Sequence, residues 1–355
     1  MLHSSRKSAW RRGALLVISA VLVMTMLAAC GKGKEHSLEF KGVGEGEVVA
    51  TYKDGKVTKS EFDKYLAIFG TAQAQYEQVI AMPQFQQMIL EQYVSYKILG
   101  TKASEESLKK ARTEVDKQLK EYDTALKNDT ALAAKVKEKK ISREDMATFL
   151  MQTATVVVHM NSQVTDADLK KAYEDMKADF AVSSVRHILV ATEEKNQETG
   201  ESKTLRTEAE ALARAKEVKA KLEAGGDWNA LAKQYTDDTS SKEKGGLYED
   251  TEGKNWVEEF KKAVFEQKVG VIGEPVKSQF GYHVIKVEKR NEVAYDKLSE
   301  ENKESVKGAA AYVYMDKFLK EDMPKQELKV TLPEVAPTEG GEVAPTEAPT
   351  EAPKK

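Results

Sequence analysis

Hydrophobic periodicity predicts an α+β chain in which a mixed strand-and-helix unit interrupts a helical one. Three observations carry this. From Thr58 to Phe180, apolar residues recur at helical spacing. Between Val182 and Val287, strand-like alternation frames a set of shorter helices. After Arg290 the helical period returns. The central unit, residues 181–290, is therefore expected to be inserted into a domain built from both flanks, residues 47–180 and 291–332.

At the start of the chain, residues 1–29 have the three parts of an export signal. Arg6, Lys7, Arg11 and Arg12 make a basic beginning, and an apolar stretch runs from Ala14 to Ala29. At about 16 residues this stretch falls short of the about 20 that a membrane span needs. It ends in Leu27-Ala28-Ala29-Cys30-Gly31, which resembles a bacterial lipobox. The resemblance implies that Cys30 becomes the mature N-terminus and carries a lipid, and two acyl chains anchor a protein stably. Cys30 is the chain's one cysteine, so the expected mature protein has no internal disulfide. Residues 30–46, with Gly42, Gly44 and Gly46, read as a flexible tether. At the other end, residues 333–355 repeat Ala-Pro-Thr-Glu at Ala336, Ala344 and Ala348. Such a composition buries too little apolar surface to offset its ordering entropy and predicts a disordered tail.

Within the helical flank, Val48-Val49-Ala50-Thr51-Tyr52 predicts a strand and Asp54-Gly55 a turn. Thr58 with Glu61 reads as a capping box at a helix start, followed by Phe62, Tyr65, Leu66 and Phe69. Phe85, Ile89, Tyr93 and Tyr96 line a second helix, and Leu108, Val115, Leu119 and Tyr122 a third. Ser142 with Asp145 and Thr165 with Asp168 mark two more starts. The aromatics are expected in the core and the charges on solvated faces. A groove for unfolded chains is the alternative use of the aromatic and methionine side chains.

In the central unit, Val185-Arg186-His187-Ile188-Leu189-Val190 alternates as a strand, with His187 on the face of Val185 and Leu189. Helices are expected over Leu205 to Leu222, after a cap at Asp227, and around Val257, Phe260 and Val264. Gly281-Tyr282-His283-Val284-Ile285-Lys286-Val287 closes the unit as a strand. Beyond it, Leu298, Val306, Ala310, Val313 and Lys317 are in register for a long helix.

Charge narrows the functional classes. The whole chain carries 55 Lys and Arg against 58 Asp and Glu. Removal of the four basic signal residues leaves a net charge near −7, which gives no footing for nucleic-acid binding. No Gly-x-Ser-x-Gly motif supports a serine hydrolase.

The ordered run Arg186-His187-Ile188-Leu189-Val190, Gly226-Asp227-Trp228, Tyr235-Thr236-Asp237-Asp238, Gly245-Gly246 and Phe280-Gly281-Tyr282-His283 resembles the parvulin pattern over about 110 residues. Together with the lipobox, the helical flanks and the tail, it resembles the PrsA-type foldase lipoproteins. That resemblance implies a four-stranded antiparallel-type sheet with surrounding helices, inserted into a helical chaperone domain. It implies cis-trans isomerisation of X-Pro bonds, a reaction that needs neither nucleophile nor cofactor, so no cofactor or metal is expected. The implied partners are unfolded or partly folded exported proteins, and the membrane through the lipid, on its extracytoplasmic face. Pairing of two copies through the helical flanks, a homodimer, would form a cradle.

The resemblance places His187 and His283 on adjacent central strands as a hydrogen-bonded platform. It puts Asp238 beside the turning carbonyl and gives Ser278 a hydroxyl contribution to the platform. Leu247, Trp256 and Phe260 match the walls of the proline pocket. The chain departs from the family's Gly-Gly-Asp-Leu-Gly run, reading Gly245-Gly246-Leu247-Tyr248-Glu249-Asp250, and carries Trp256 where methionine is usual. A holdase with a catalytically weak parvulin domain is therefore the second reading.

Overall fold

The computed structural model describes residues 35–195 and 201–332. The expected signal, Cys30, the first part of the tether and the tail lie outside the described residues. The chain divides into two units. One comprises residues up to Gln163 and from Ala311 onward, and the other is Val164–Ala310.

In the first unit, Val48–Tyr52 (β1) and Gly55–Thr58 (β2) form an antiparallel hairpin. The short strand Lys329–Val330 pairs with the other edge of β1, so the two ends of the chain's flanks share one sheet. Helices follow at Lys59–Ala72 (α1), Pro83–Lys102 (α2), Glu105–Asn128 (α3), Thr130–Glu138 (α4) and Arg143–Ser162 (α5). Ser142 and Asp145 cap α5 reciprocally, as the sequence predicts.

The expected box at α1 is only half made. The Thr58 hydroxyl accepts from the Glu61 backbone N–H, but the Glu61 carboxylate turns inward. There it accepts from the Tyr93 hydroxyl at 2.7 Å and from Lys97 at 2.5 Å. A buried carboxylate must be paired and hydrogen-bonded, and Lys97 and Tyr93 supply both. Around this pair the aromatic core assembles: Tyr65 lies 4.3 Å from Tyr93 and 5.3 Å from Phe149, centroid to centroid. Phe62, Tyr65, Phe69 and Tyr93 are all core residues.

The second unit begins with Asp166–Phe180 (α6), whose box at Thr165 and Asp168 is complete. Its strands are Val182–Ala191 (β3), Glu193–Lys195 (β4), Ser202–Thr204 (β5), Leu247–Glu252 (β6), Val276–Ser278 (β7) and Gly281–Asn291 (β8). β4 and β5 form a two-stranded ribbon, and the main sheet runs β6-β3-β8-β7, antiparallel throughout. Its helices are Glu208–Glu223 (α7), Trp228–Tyr235 (α8), Glu258–Glu266 (α9) and, up to Ala310, Glu300–Lys317 (α10).

Alternation along β3 and β8 gives the sheet two apolar faces. Ile188, Val190 and Val284 pack with α7 and α8 through Ala211, Ala215, Val218 and Leu231. Val185, Ile285 and Val287 pack on the other face with Phe260 and Val264 of α9. The candidate residues His187 and His283 stand on this second face.

α6 and the first part of α10 belong to this unit, because Ala172 and Phe180 share a core with Leu298, Val306 and Ala310. The stripe predicted along α10 stops at Ala310. Val313 is about half exposed, and burial passes instead to Ala311, Met315 and Phe318. A single stripe describes a helix packed on one core, whereas α10 is divided between the two units at Ala310 and Ala311.

Candidate active site

Two strands and one loop bring the polar residues together. His187 on β3 lies opposite Ile285 on β8, and His283 lies opposite Leu189, so the two histidines are diagonal neighbours on one face. Their rings stack at 5.6 Å, and their Nδ1 atoms are 3.4 Å apart. The loop after α8 is fastened to the far end of β3. Thr236 accepts from the Leu189 N–H through its hydroxyl, the Asp237 N–H donates to the Leu189 carbonyl, and the Asp237 carboxylate accepts from the Ala191 N–H. Arg206 pairs with Asp237 at 2.5 Å. Asp237 thus sets the loop, and its neighbour Asp238 is delivered to the histidines.

Four donors converge on Asp238. His187 Nε2 lies 2.8 Å from Oδ2, where the Ser241 hydroxyl also donates, and the Tyr248 hydroxyl donates to the same oxygen at 3.0 Å. The Ser240 N–H donates to Oδ1 at 3.0 Å. Burial opposes ionisation here, but the hydrogen bonds from His187 and Ser241 outweigh it and hold the carboxyl well below the usual carboxylate range.

A carboxylate only accepts, so His187 donates through Nε2. Ser278 Oγ sits 2.7 Å from His283 Nε2 and also accepts from the Phe280 N–H. With His187 neutral, the sequence of donors is then Ser278 to His283 to His187 to Asp238. Burial, followed by the nearby His187, pushes His283 down to about 3, so its ring stays neutral in the fold.

Over this platform opens a cleft of about 530 Å3. His187, His283 and Asp238 form its polar side. Trp256, Phe260 and Tyr248 face them, with Phe280 half exposed at the rim. Phe260 meets both imidazoles edge-on, at 5.4 Å from His187 and 5.2 Å from His283, and Trp256 lies 5.4 Å from Phe260. The arrangement offers an apolar seat for a ring beside a fixed negative charge.

Of the residues singled out by sequence, His187, Asp238, His283, Trp256 and Phe260 line this cleft. Ser278 is buried behind it and reaches it through His283. Leu247 does not line it. It is paired with Arg186 and shares that residue's face of the sheet, whereas Tyr248, opposite Val185, shares the face of the histidines. Sequence reasoning misses Tyr248 and Ser241: both stand within or beside the motifs, but no sequence signal aims their hydroxyls at Asp238.

A family model described as the PPIC-type PPIASE domain matches residues 168–291. The chain is also similar to curated proteins named Foldase protein PrsA. One, from Caldanaerobacter subterraneus subsp. tengcongensis, is 29% identical, over 78% of this chain and 83% of the relative. One from Bacillus subtilis is 32% identical, over 82% and 81% respectively. Foldase protein PrsA 2 of Listeria monocytogenes is 31% identical, over 89% and 90%.

Proposed function

Since the chain belongs to the PrsA foldase family and is a peptidylprolyl cis-trans isomerase, we propose that it works as a lipid-anchored foldase for exported proteins, with His187, Asp238 and His283 as its isomerase centre. The observation that carries the site assignment is the polar chain from Ser278 to Asp238 directly beneath an aromatic cleft. Trp256 and Phe260 take the prolyl ring.

The barrier to be lowered is amide resonance, about 18–20 kcal/mol. The planar amide is the more polar form, with negative charge on oxygen and positive charge on nitrogen, and the twisted form has lost that separation. Apolar walls therefore disfavour the planar forms relative to the twisted one. The Asp238 charge beside the carbonyl oxygen acts in the same direction, since it repels the charge that resonance places there. Selective stabilisation of the twisted state over both planar states is what accelerates the reaction. His187 and His283 hold the carboxylate in place.

A protease-coupled prolyl-peptide assay on the full-length protein tests this centre. His187→Ala and Asp238→Ala should each lower kcat/KM by about 100-fold, near 2.7 kcal/mol of transition-state stabilisation. Wild-type activity in either variant would defeat the assignment.

Anchoring rests on Leu27-Ala28-Ala29-Cys30 at the end of the export signal. Among the described residues no helix is long and apolar enough to cross a membrane. Cys30→Ser should move the protein from the membrane fraction to the soluble fraction and abolish labelling by a fatty-acid analogue. Persistent labelling of the variant would remove Cys30 as the anchor.

A further inference from the structure

The short run after Gly245-Gly246 puts an unexpected side chain in the site. β6 lies beside β3 with Leu247 opposite Arg186 and Tyr248 opposite Val185, and the register shifts between Ser183 and Val185. Strand alternation then turns Leu247 away from the histidines and Tyr248 toward them. The Tyr248 ring lies 5.4 Å from His187 and packs on the cluster that holds Phe260 and Val185. Its hydroxyl donates to Asp238 Oδ2 at 3.0 Å.

We propose that Tyr248 is a positioning and specificity-determining residue of the isomerase: its hydroxyl fixes the Asp238 carboxylate, and its ring is the rigid wall that selects prolyl-ring size. The inference rests on the reading of His187, Asp238 and His283 as the isomerase centre.

Two features make the wall rigid. The backbone of Tyr248 is held in the sheet, and its far end is tied to Asp238. An aliphatic side chain at this place would be held at one end only and would change rotamer to suit a ligand. Burial and then the Asp238 charge push the phenol up to about 12, so it remains a donor throughout the working range. The same bond is one of three that converge on Oδ2, while the Ser240 N–H is the donor at Oδ1. Oδ2 is thereby saturated and acts on the substrate through its field, and its placement depends on each of these donors.

The test compares two peptides on the full-length protein, identical except that one carries proline and the other pipecolic acid, its six-membered homologue. Tyr248→Phe keeps the wall and removes the hydroxyl. It should lower kcat for the prolyl peptide about tenfold, with KM changed less than about twofold. Tyr248→Leu frees the wall, and should raise the pipecolyl-to-prolyl ratio of kcat/KM at least about tenfold.

Unchanged kcat in Tyr248→Phe, or an unchanged ratio in Tyr248→Leu, would overturn the proposal. So would a Tyr248→Phe variant whose kcat and KM worsen together with its urea midpoint, since that is the mark of a merely structural residue. His187→Ala, run alongside, separates the two levels. If it is inactive while the Tyr248 variants behave as wild type, only the role of Tyr248 falls. If it retains full activity, the centre itself has been misassigned.

Discussion

Gly246→Ala should unfold the second unit at modest urea and lower isomerase activity by more than about 100-fold. Gly246 has φ +72°, and a Cβ built on it would lie 1.9 Å from the carbonyl oxygen of His187. That atom belongs to the backbone of the central strand and has no rotamer by which to retreat. To admit a methyl group, β6 must separate from β3 at His187. The separation breaks the hydrogen bond from the His187 N–H to the Gly246 carbonyl, 2.9 Å. It also strains the bond from the Gly246 N–H to the Ser241 carbonyl, 2.8 Å, and Ser241 is one of the donors that hold Asp238.

A lost buried backbone bond, a strained positive φ and a displaced strand each cost about 1–3 kcal/mol, and the sum is on the order of 4 kcal/mol or more. Gly245→Ala is the control. There φ is +64°, and the nearest atom is the amide oxygen of Asn229, at 1.9 Å on a side chain that can turn away. Its cost should stay near 1–2 kcal/mol, and most activity should remain. The measurements are urea midpoints followed by tryptophan fluorescence, together with the peptide assay. Equal behaviour of the two variants would refute the argument.

The same geometry explains what can be read from the sequence. β3 and β8 each have one face of apolar residues interrupted by a histidine, and a period of two survives such an interruption. Both strands, and the shared face of His187 and His283, are therefore legible. The capping residues at Ser142, Thr165 and Asp227 are legible for a different reason: their partners lie within a few residues. β6 is not. Leu247-Tyr248-Glu249-Asp250-Thr251-Glu252 has no alternating pattern to declare which side faces inward, and its phase is set by pairing with a strand about 60 residues earlier. Sequence resemblance accordingly points to Leu247, whereas Tyr248 is the side chain that lines the cleft.

Glu61 shows the converse failure. Its local signal, a box with Thr58, is overridden by Tyr93 and Lys97 more than 30 residues away. Local rules lose wherever a distant partner offers a buried charge more than the neighbouring backbone does. The start of the second unit is displaced likewise. α6 has the period of the helical flank, but Ala172 and Phe180 bury against Leu298 and Val306, a pairing invisible to periodicity.

Acid should destabilise the second unit well before its carboxylates are protonated, and His283 is the reason. The buried ring is faced by His187 and Ser278 through hydrogen bonds and by Phe260 edge-on, with Asp238 acting on it electrostatically. Burial, the largest cause, and then His187 depress it to about 3 from an ordinary value of 6.5, against the opposing pull of Asp238. Below pH 6.5 the unfolded chain binds a proton at this residue that the folded chain refuses. Stability is therefore fully present above about pH 6.5 and is lost as pH falls toward 3, in proportion to the difference in bound protons.

The loss from this residue alone should reach about 2 kcal/mol by pH 5 and on the order of 5 kcal/mol at the acid limit. Asp238 adds to it only further down. Its folded value is depressed, so the stability it contributes is present above its ordinary 3.8 and disappears below that. From pH 7 to 5, then, Asp238 contributes nothing to the change. Trp228 and Trp256, the tryptophans outside the signal segment, both lie in the second unit. Their fluorescence in urea reports this unit and not the other. The wild-type midpoint should fall steadily across the interval, whereas His283→Gln, which carries no titrating ring, should start lower and show a nearly flat profile. A wild-type midpoint constant from pH 7 to 5 would mean that the folded site accepts the proton after all. The platform would then take up positive charge beside Asp238 as pH fell through 6.5, offsetting the negative charge on which the proposed centre relies.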